Sequence, residues 1–121
     1  MRRRNYFVGL IVLPMLAACG DFFLDNQFDE GTVEVNVVDE TNTGIAEVAV
    51  GVETLNQAGG SFFVAGRTDG TGTFRAIGVT VGRRVVEVTL PSGYTRASPG
   101  RTQTVDVRKD QTTIARFELR R

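Results

Sequence analysis

The side chains with the widest chemical repertoire are scarce in this chain. Cys19 is its one cysteine and no histidine occurs, so the commonest general base is missing, together with any His-dependent triad or zinc site. Acidic residues on which a carboxylate-only site could be built are, for example, Asp39 with Glu40, or Asp69 beside Gly70-Thr71-Gly72. Such a site is one reading of them, but Asp among Gly, Thr and Asn ordinarily accepts hydrogen bonds from turn amides. Neither Asp39-Glu40-Thr41-Asn42 nor Asp69-Gly70-Thr71-Gly72 has the spacing of a calcium loop, and calcium needs about six to eight oxygens. Gly70-Thr71-Gly72 runs into the β-prone Thr73-Phe74, whereas a phosphate loop opens a helix and carries a lysine. These residues therefore imply no catalytic group, metal or cofactor.

Three aromatics, Phe62, Phe63 and Tyr94, could form a stacking platform for a glycan or peptide. Aromatics of a β-sandwich more often belong to its core, and the chain has no tryptophan, the favoured sugar-stacking residue. Relative burial of the three distinguishes a ligand platform from packing.

The elements that would position these groups begin with a leader. Met1-Arg2-Arg3-Arg4 is followed by an uncharged, mostly apolar stretch from Tyr6 to Ala18 that ends in small residues, the layout of a secretory signal. Its thirteen residues, interrupted by Pro14, fall short of the roughly 20 that a spanning helix requires. Leu16-Ala17-Ala18-Cys19-Gly20 resembles the bacterial lipobox, which implies cleavage before Cys19 and attachment of diacylglycerol to its sulfur, often with N-acylation by palmitate or a similar chain. One acyl chain holds a protein marginally and two hold it stably, at about 0.8 kcal/mol per buried CH₂. The expected partner of Cys19 is thus the membrane, and Gly20 in place of Asp favours the outer membrane by resemblance to enterobacterial sorting.

Removing residues 1–18 takes three of the 14 basic residues and leaves 11 against 14 acidic ones. A mildly acidic mature chain argues against nucleic acid as a partner. With a single thiol, no internal disulfide can form, and the fold must rest on packing.

Residues 19–31 read as a lipidated N-terminus and tether. Asp21, Asp25, Asp29 and Glu30 suit a solvated spacer, while Phe22, Phe23, Leu24 and Phe28 suit a headgroup region or the domain surface. From Thr32 the pattern becomes period two: Val33, Val35 and Val37 alternate with polar residues. Val48, Val50 and Val52 repeat it after the Asp39–Gly44 turn. Ser61–Arg67 and Thr73–Ala76 read as a hairpin pair joined at Asp69-Gly70-Thr71-Gly72. Arg84–Leu90 sets Val86, Val88 and Leu90 inward before the Pro91-Ser92-Gly93-Tyr94 turn. Thr102–Val107 and Thr112–Leu119 complete the set around Lys109-Asp110-Gln111. Seven short strands without a helix predict an all-β, immunoglobulin-like sandwich of two antiparallel sheets over residues 32–121.

Those strands carry a recognisable pattern: Val35, Val37, Gly44, Ile45, Val48 and Val50; then Thr68, Asp69, Gly70, Gly72 and Phe74; then Gly82, Val86, Val88, Pro91, Gly93 and Tyr94. It resembles the carboxypeptidase regulatory-like domains. The resemblance implies a transthyretin-like sandwich, akin to the collagen-binding B-type repeats, serving as a stalk, spacer or binding platform rather than an enzyme. The isopeptide crosslink of such repeats needs a first-strand lysine, whereas the sole lysine here is Lys109 in the last turn. Transthyretin-like hydrolases of purine-derived rings have histidines and a Tyr-Arg-Gly-Ser tail; this chain lacks both. The expectation is a non-catalytic structural or protein-interaction module in the bacterial envelope, with an envelope protein as its partner. A ligand-binding lipoprotein using a face or loop end of the sandwich is the alternative.

Overall fold

A computed structural model describes residues 29–121, so the expected leader, Cys19 and the expected tether up to residue 28 lie outside the described residues. Among the described residues eight strands form: β1 Glu30–Val38, β2 Ala49–Leu55, β3 Ser61–Arg67, β4 Thr73–Thr80, β5 Gly82–Val88, β6 Arg96–Ser98, β7 Thr102–Val107 and β8 Thr112–Arg120. They make two four-stranded sheets, ordered β4-β1-β8-β6 and β3-β2-β5-β7, packed face to face.

Strand alternation decides what lies between the sheets. Val33, Val35 and Val37 of β1 are fully buried, as are Ala115, Phe117 and Leu119 of β8. From the other sheet come Val50 and Val52, Val86 and Val88, and Val105 and Val107, with Val48 beside them. Eleven of the fifteen core side chains are valine, a stiff β-branched residue that suits a pleated half-buried surface. Phe117 and Leu119 are the largest side chains fully enclosed, so these two set how far apart the sheets stand.

Four features differ from the sequence expectation. The strands number eight rather than seven, because Arg96–Ser98 pairs with Glu118–Arg120; three residues with one small apolar side chain give no period to read. The first sheet is mixed rather than antiparallel, since β1 runs parallel to β8 from Thr32↔Thr112 to Val38↔Glu118. Third, β3 and β4 do not pair. The Asp69–Thr73 turn carries the chain from one sheet to the other, and β4 pairs with β1 instead. Turn composition reports that the chain reverses, not whether its flanks share a sheet. Finally, β1 starts at Glu30, where Gly31 lets the backbone pass close to the Arg108 carbonyl.

These connections give the sandwich two poles. Glu30 of β1, Thr80 of β4, Gly82 of β5, Leu55 of β2 and Val107 of β7 mark the N-terminal pole, with the 56–60 and 108–111 turns. The distal pole holds the 39–48, 68–72 and 89–101 connections and the C-terminus.

Candidate functional site

The acidic residues singled out in the sequence lie at the distal pole and share one construction. Asp39 Oδ1 accepts from the Thr41 amide at 2.8 Å, the Thr41 hydroxyl at 2.7 Å and the Thr43 amide at 3.0 Å. Asp69 Oδ1 accepts from the Thr71 amide at 2.8 Å, the Thr71 hydroxyl at 2.6 Å and the Thr73 amide at 3.1 Å. The pattern Asp-x-Thr-x-Thr thus occurs twice, 30 residues apart, and builds the same Asx turn each time. A signal for it was present in the sequence as that spacing, but the two segments read separately as generic turns.

Donation by the Thr41 hydroxyl, then by the Thr43 amide, holds the Asp39 carboxyl below its ordinary range. For Asp69 the Thr71 hydroxyl and the Thr73 amide do the same. Both groups are therefore stabilised as carboxylates whose Oδ1 is engaged in closing a turn, an arrangement suited to rigidity rather than to carrying protons near neutrality. Glu40 makes no part of this arrangement. Among the described residues, no three acidic or thiol side chains converge as a metal would require.

The three aromatics do not come together. Phe62 and Phe63 are neighbours on edge strand β3 and so point to opposite faces, with 48% and 43% exposure. Phe63 lies on the outer face, where it leans over Gly51. Tyr94 is at the distal pole, half-buried against the core, with the Arg121 guanidinium 4.6 Å from its ring centroid. A single stacking platform built from Phe62, Phe63 and Tyr94 is not assembled. Cys19 falls outside the described residues.

The N-terminal pole shows a different arrangement, one that the sequence reading did not contain. The Val81 amide donates to the Asp29 carbonyl at 2.9 Å, and Lys109 Nζ lies 3.7 Å from Asp29 Oδ1. Thr54 and Thr80 are buried and bridge the sheets: the Thr80 amide donates to Thr54 Oγ1 at 3.0 Å, and the Leu55 amide to Thr80 Oγ1 at 3.1 Å. Arg84 folds back on the corner, donating from Nε to the Thr80 carbonyl and hydroxyl and from Nη2 to the Val81 carbonyl. Val81 is left 37% exposed at this pinned corner, to which Thr54 also brings its cross-strand partner Phe62. Ile77 is 79% exposed on the adjoining edge strand β4. A shallow depression of about 330 Å³ lies beside Ile77, lined by Glu30, Thr32, Gly78, Asp110 and Thr112 among others.

No protein-family model matches the sequence, and no curated protein matches it. Solved structures do share the sandwich. The Bacillus anthracis TIE protein superposes with a TM-score of 0.61 at 15% identity, covering 76% of this chain and 16% of that one. GBS52, the minor pilin of Streptococcus agalactiae, gives 0.60 at 18% identity, covering 78% of this chain and 45% of that one. The 3-chlorocatechol 1,2-dioxygenase of Rhodococcus opacus 1CP gives 0.59 at 15% identity, covering 80% and 62%. The chain spans less than two thirds of each of these proteins. Likeness at such identities establishes an all-β, immunoglobulin-like sandwich. A pilin and a dioxygenase share that fold, so function has to be argued from the sites.

Proposed function

We propose that this chain is a lipid-anchored bacterial envelope protein whose carboxypeptidase regulatory-like sandwich is a non-catalytic structural or protein-interaction module. The observation that carries the reading is where the polypeptide joins the sandwich. Asp29 lies at one pole, ten residues after Cys19, and ten residues reach at most about 35 Å. A diacylated Cys19 would therefore hold the domain directly above a bilayer with its distal pole outward. The Asx turns of Asp39 and Asp69 support the module reading, because the acidic groups best placed for chemistry serve to close turns. Pilin sandwiches of similar fold supply an analogy and no more.

Mass spectrometry of the mature N-terminus from native membranes tests the anchor. A chain beginning at a diacylglyceryl Cys19 is expected, with Cys19→Ser releasing the protein from lipid processing. Recovery of the native chain with Met1 to Arg4 in place and an unmodified thiol would overturn the reading. For the module, crosslinking in intact cells is expected to return a reproducible envelope partner; capture of abundant bystander lipoproteins alone counts against it.

A further inference from the structure

The N-terminal pole ends in side chains that a freely solvated surface has no need of. Phe62 pairs with Thr54 across the sheet and Val81 follows Thr80, so the Thr54–Thr80 bridge brings both to this corner, and the Val81 amide is bonded to Asp29, the first described residue. We infer that this pole is a bilayer-docking surface, with Phe62 and Val81 seated in the headgroup region and Ile77 at its margin. The inference rests on the lipid-anchor reading, which places Cys19 within ten residues of this spot.

Three considerations favour lipid over another occupant. Exposed aromatic and aliphatic groups next to an anchored segment meet the headgroup layer, where they are stabilised. A second copy pairing along β3 about a two-fold axis would run the strands antiparallel, turning the two N-terminal poles in opposite directions and away from a shared membrane. Charge at the pole is balanced: Lys109 faces Asp29, Arg108 faces Asp106 at 3.3 Å, and Glu30 and Asp110 offset Arg83 and the carbonyl-bound Arg84. Docking is therefore apolar in character, insensitive to salt, and satisfied by zwitterionic lipid.

The chain contains no tryptophan, so one introduced residue reports alone. The test uses the native lipidated chain carrying Phe62→Trp, or Glu40→Trp at the distal pole, reconstituted in phosphatidylcholine vesicles with brominated acyl chains. Flotation is scored first. Co-flotation with loss of most indole emission from position 62 and retention of that from position 40, unchanged by added salt, is the expected result. Co-flotation with both unquenched overturns the docking surface while leaving the anchor standing, and equal quenching of both overturns the polarity it requires. Emission at position 62 already shifted to the blue before vesicles are added, and indifferent to bromine, assigns the patch to a second copy and also overturns it. A chain that fails to float overturns the anchor and the docking surface together. Hydrogen exchange of the unsubstituted chain gives a second reading: amides of 56–62 and 81–83 should slow on vesicles relative to those of 39–43, and unaltered exchange at 56–62 and 81–83 counts against docking.

Discussion

Gly44 and Gly72 meet backbone to backbone at the distal pole: a Cβ on Gly72 would stand 2.7 Å from the Gly44 Cα and 2.8 Å from the Ile45 nitrogen. This contact presses the two Asp-x-Thr-x-Thr turns together. It lets the Val37 amide reach the Gly72 carbonyl at 2.8 Å while the Ile45 amide reaches the Val37 carbonyl at 2.9 Å. Gly72 also has φ +80°, a region that L side chains occupy only under strain. Gly72→Ala should therefore cost about 2 kcal/mol or more, since it adds a clash with immobile backbone to an unfavourable φ. Gly70, whose added Cβ would meet nothing, should accept alanine with little change. Chemical denaturation of the two variants checks the contrast.

The two turns also set a pH dependence. Both carboxyls titrate below their ordinary range in the folded chain because the turn hydroxyls and amides favour the charged form. A group depressed in this way contributes its stability fully above the unfolded-state value and loses it as pH falls through the folded one. Stability should accordingly be flat across neutral pH and decline below about pH 4. In Asp39→Asn/Asp69→Asn the side-chain oxygen still accepts from the turn amides, and this part of the acid decline should disappear. Thermal melts from pH 7 to about pH 2.5 compare the slopes across the carboxylate range; identical slopes would contradict the assignment.

Much of this architecture was legible because valine alternation is a strong signal. Val33, Val35, Val37, Val50, Val52, Val86, Val88, Val105 and Val107 point inward as period two requires. What composition did not carry was partnership. Thr73-Phe74-Arg75-Ala76 reads equally well beside β3 or β1, and the choice depends on Phe74 lying over Gly66, where any Cβ would enter its ring. Arg96-Ala97-Ser98 is too short to show a period. At the sites, turn chemistry could be read from Asp39 and Asp69, whereas the patch at Phe62 and Val81 could not. Phe62 lies on β3 and Val81 in the β4–β5 connection, and they share a corner through the bonds between Thr54 and Thr80.

Thr68 is a buried polar side chain at the distal pole that holds two segments at once. Its hydroxyl donates to the Ile45 carbonyl at 2.6 Å and accepts from the Val48 amide at 2.9 Å, tying the β1–β2 connection to the start of the β3–β4 turn. Thr68→Val keeps the shape and removes both bonds, stranding the buried Val48 amide and the part-buried Ile45 carbonyl. The expected loss is about 2–4 kcal/mol, from roughly one to three for each orphaned group with partial relaxation. Thr68→Ser retains the hydroxyl and should recover most of it. Failure of serine to outperform valine in urea melts would mean that packing of the Thr68 methyl, rather than its hydroxyl, sets the stability.

In a core made chiefly of valine, the few large side chains carry a disproportionate share of the packing. Phe117 is fully buried on β8, the strand that lies between β1 and β6, and its ring fills space that the surrounding valines cannot reach by relaxing. Phe117→Ala should cost about 3–5 kcal/mol, from lost transfer free energy and the cavity left behind. Small domains have only about 5–15 kcal/mol of net stability, so the variant should lie near the threshold of folding, with its melting temperature lowered by more than about 10 °C. Phe63→Ala removes the same ring from the outer face, where it rests over Gly51 and is partly hydrated, and should change stability by less than about 1 kcal/mol. Calorimetry of the two variants side by side separates the phenylalanine that holds the sheets apart from the one that does not, and equal losses would show that the β3 edge is as much a part of the core as β8.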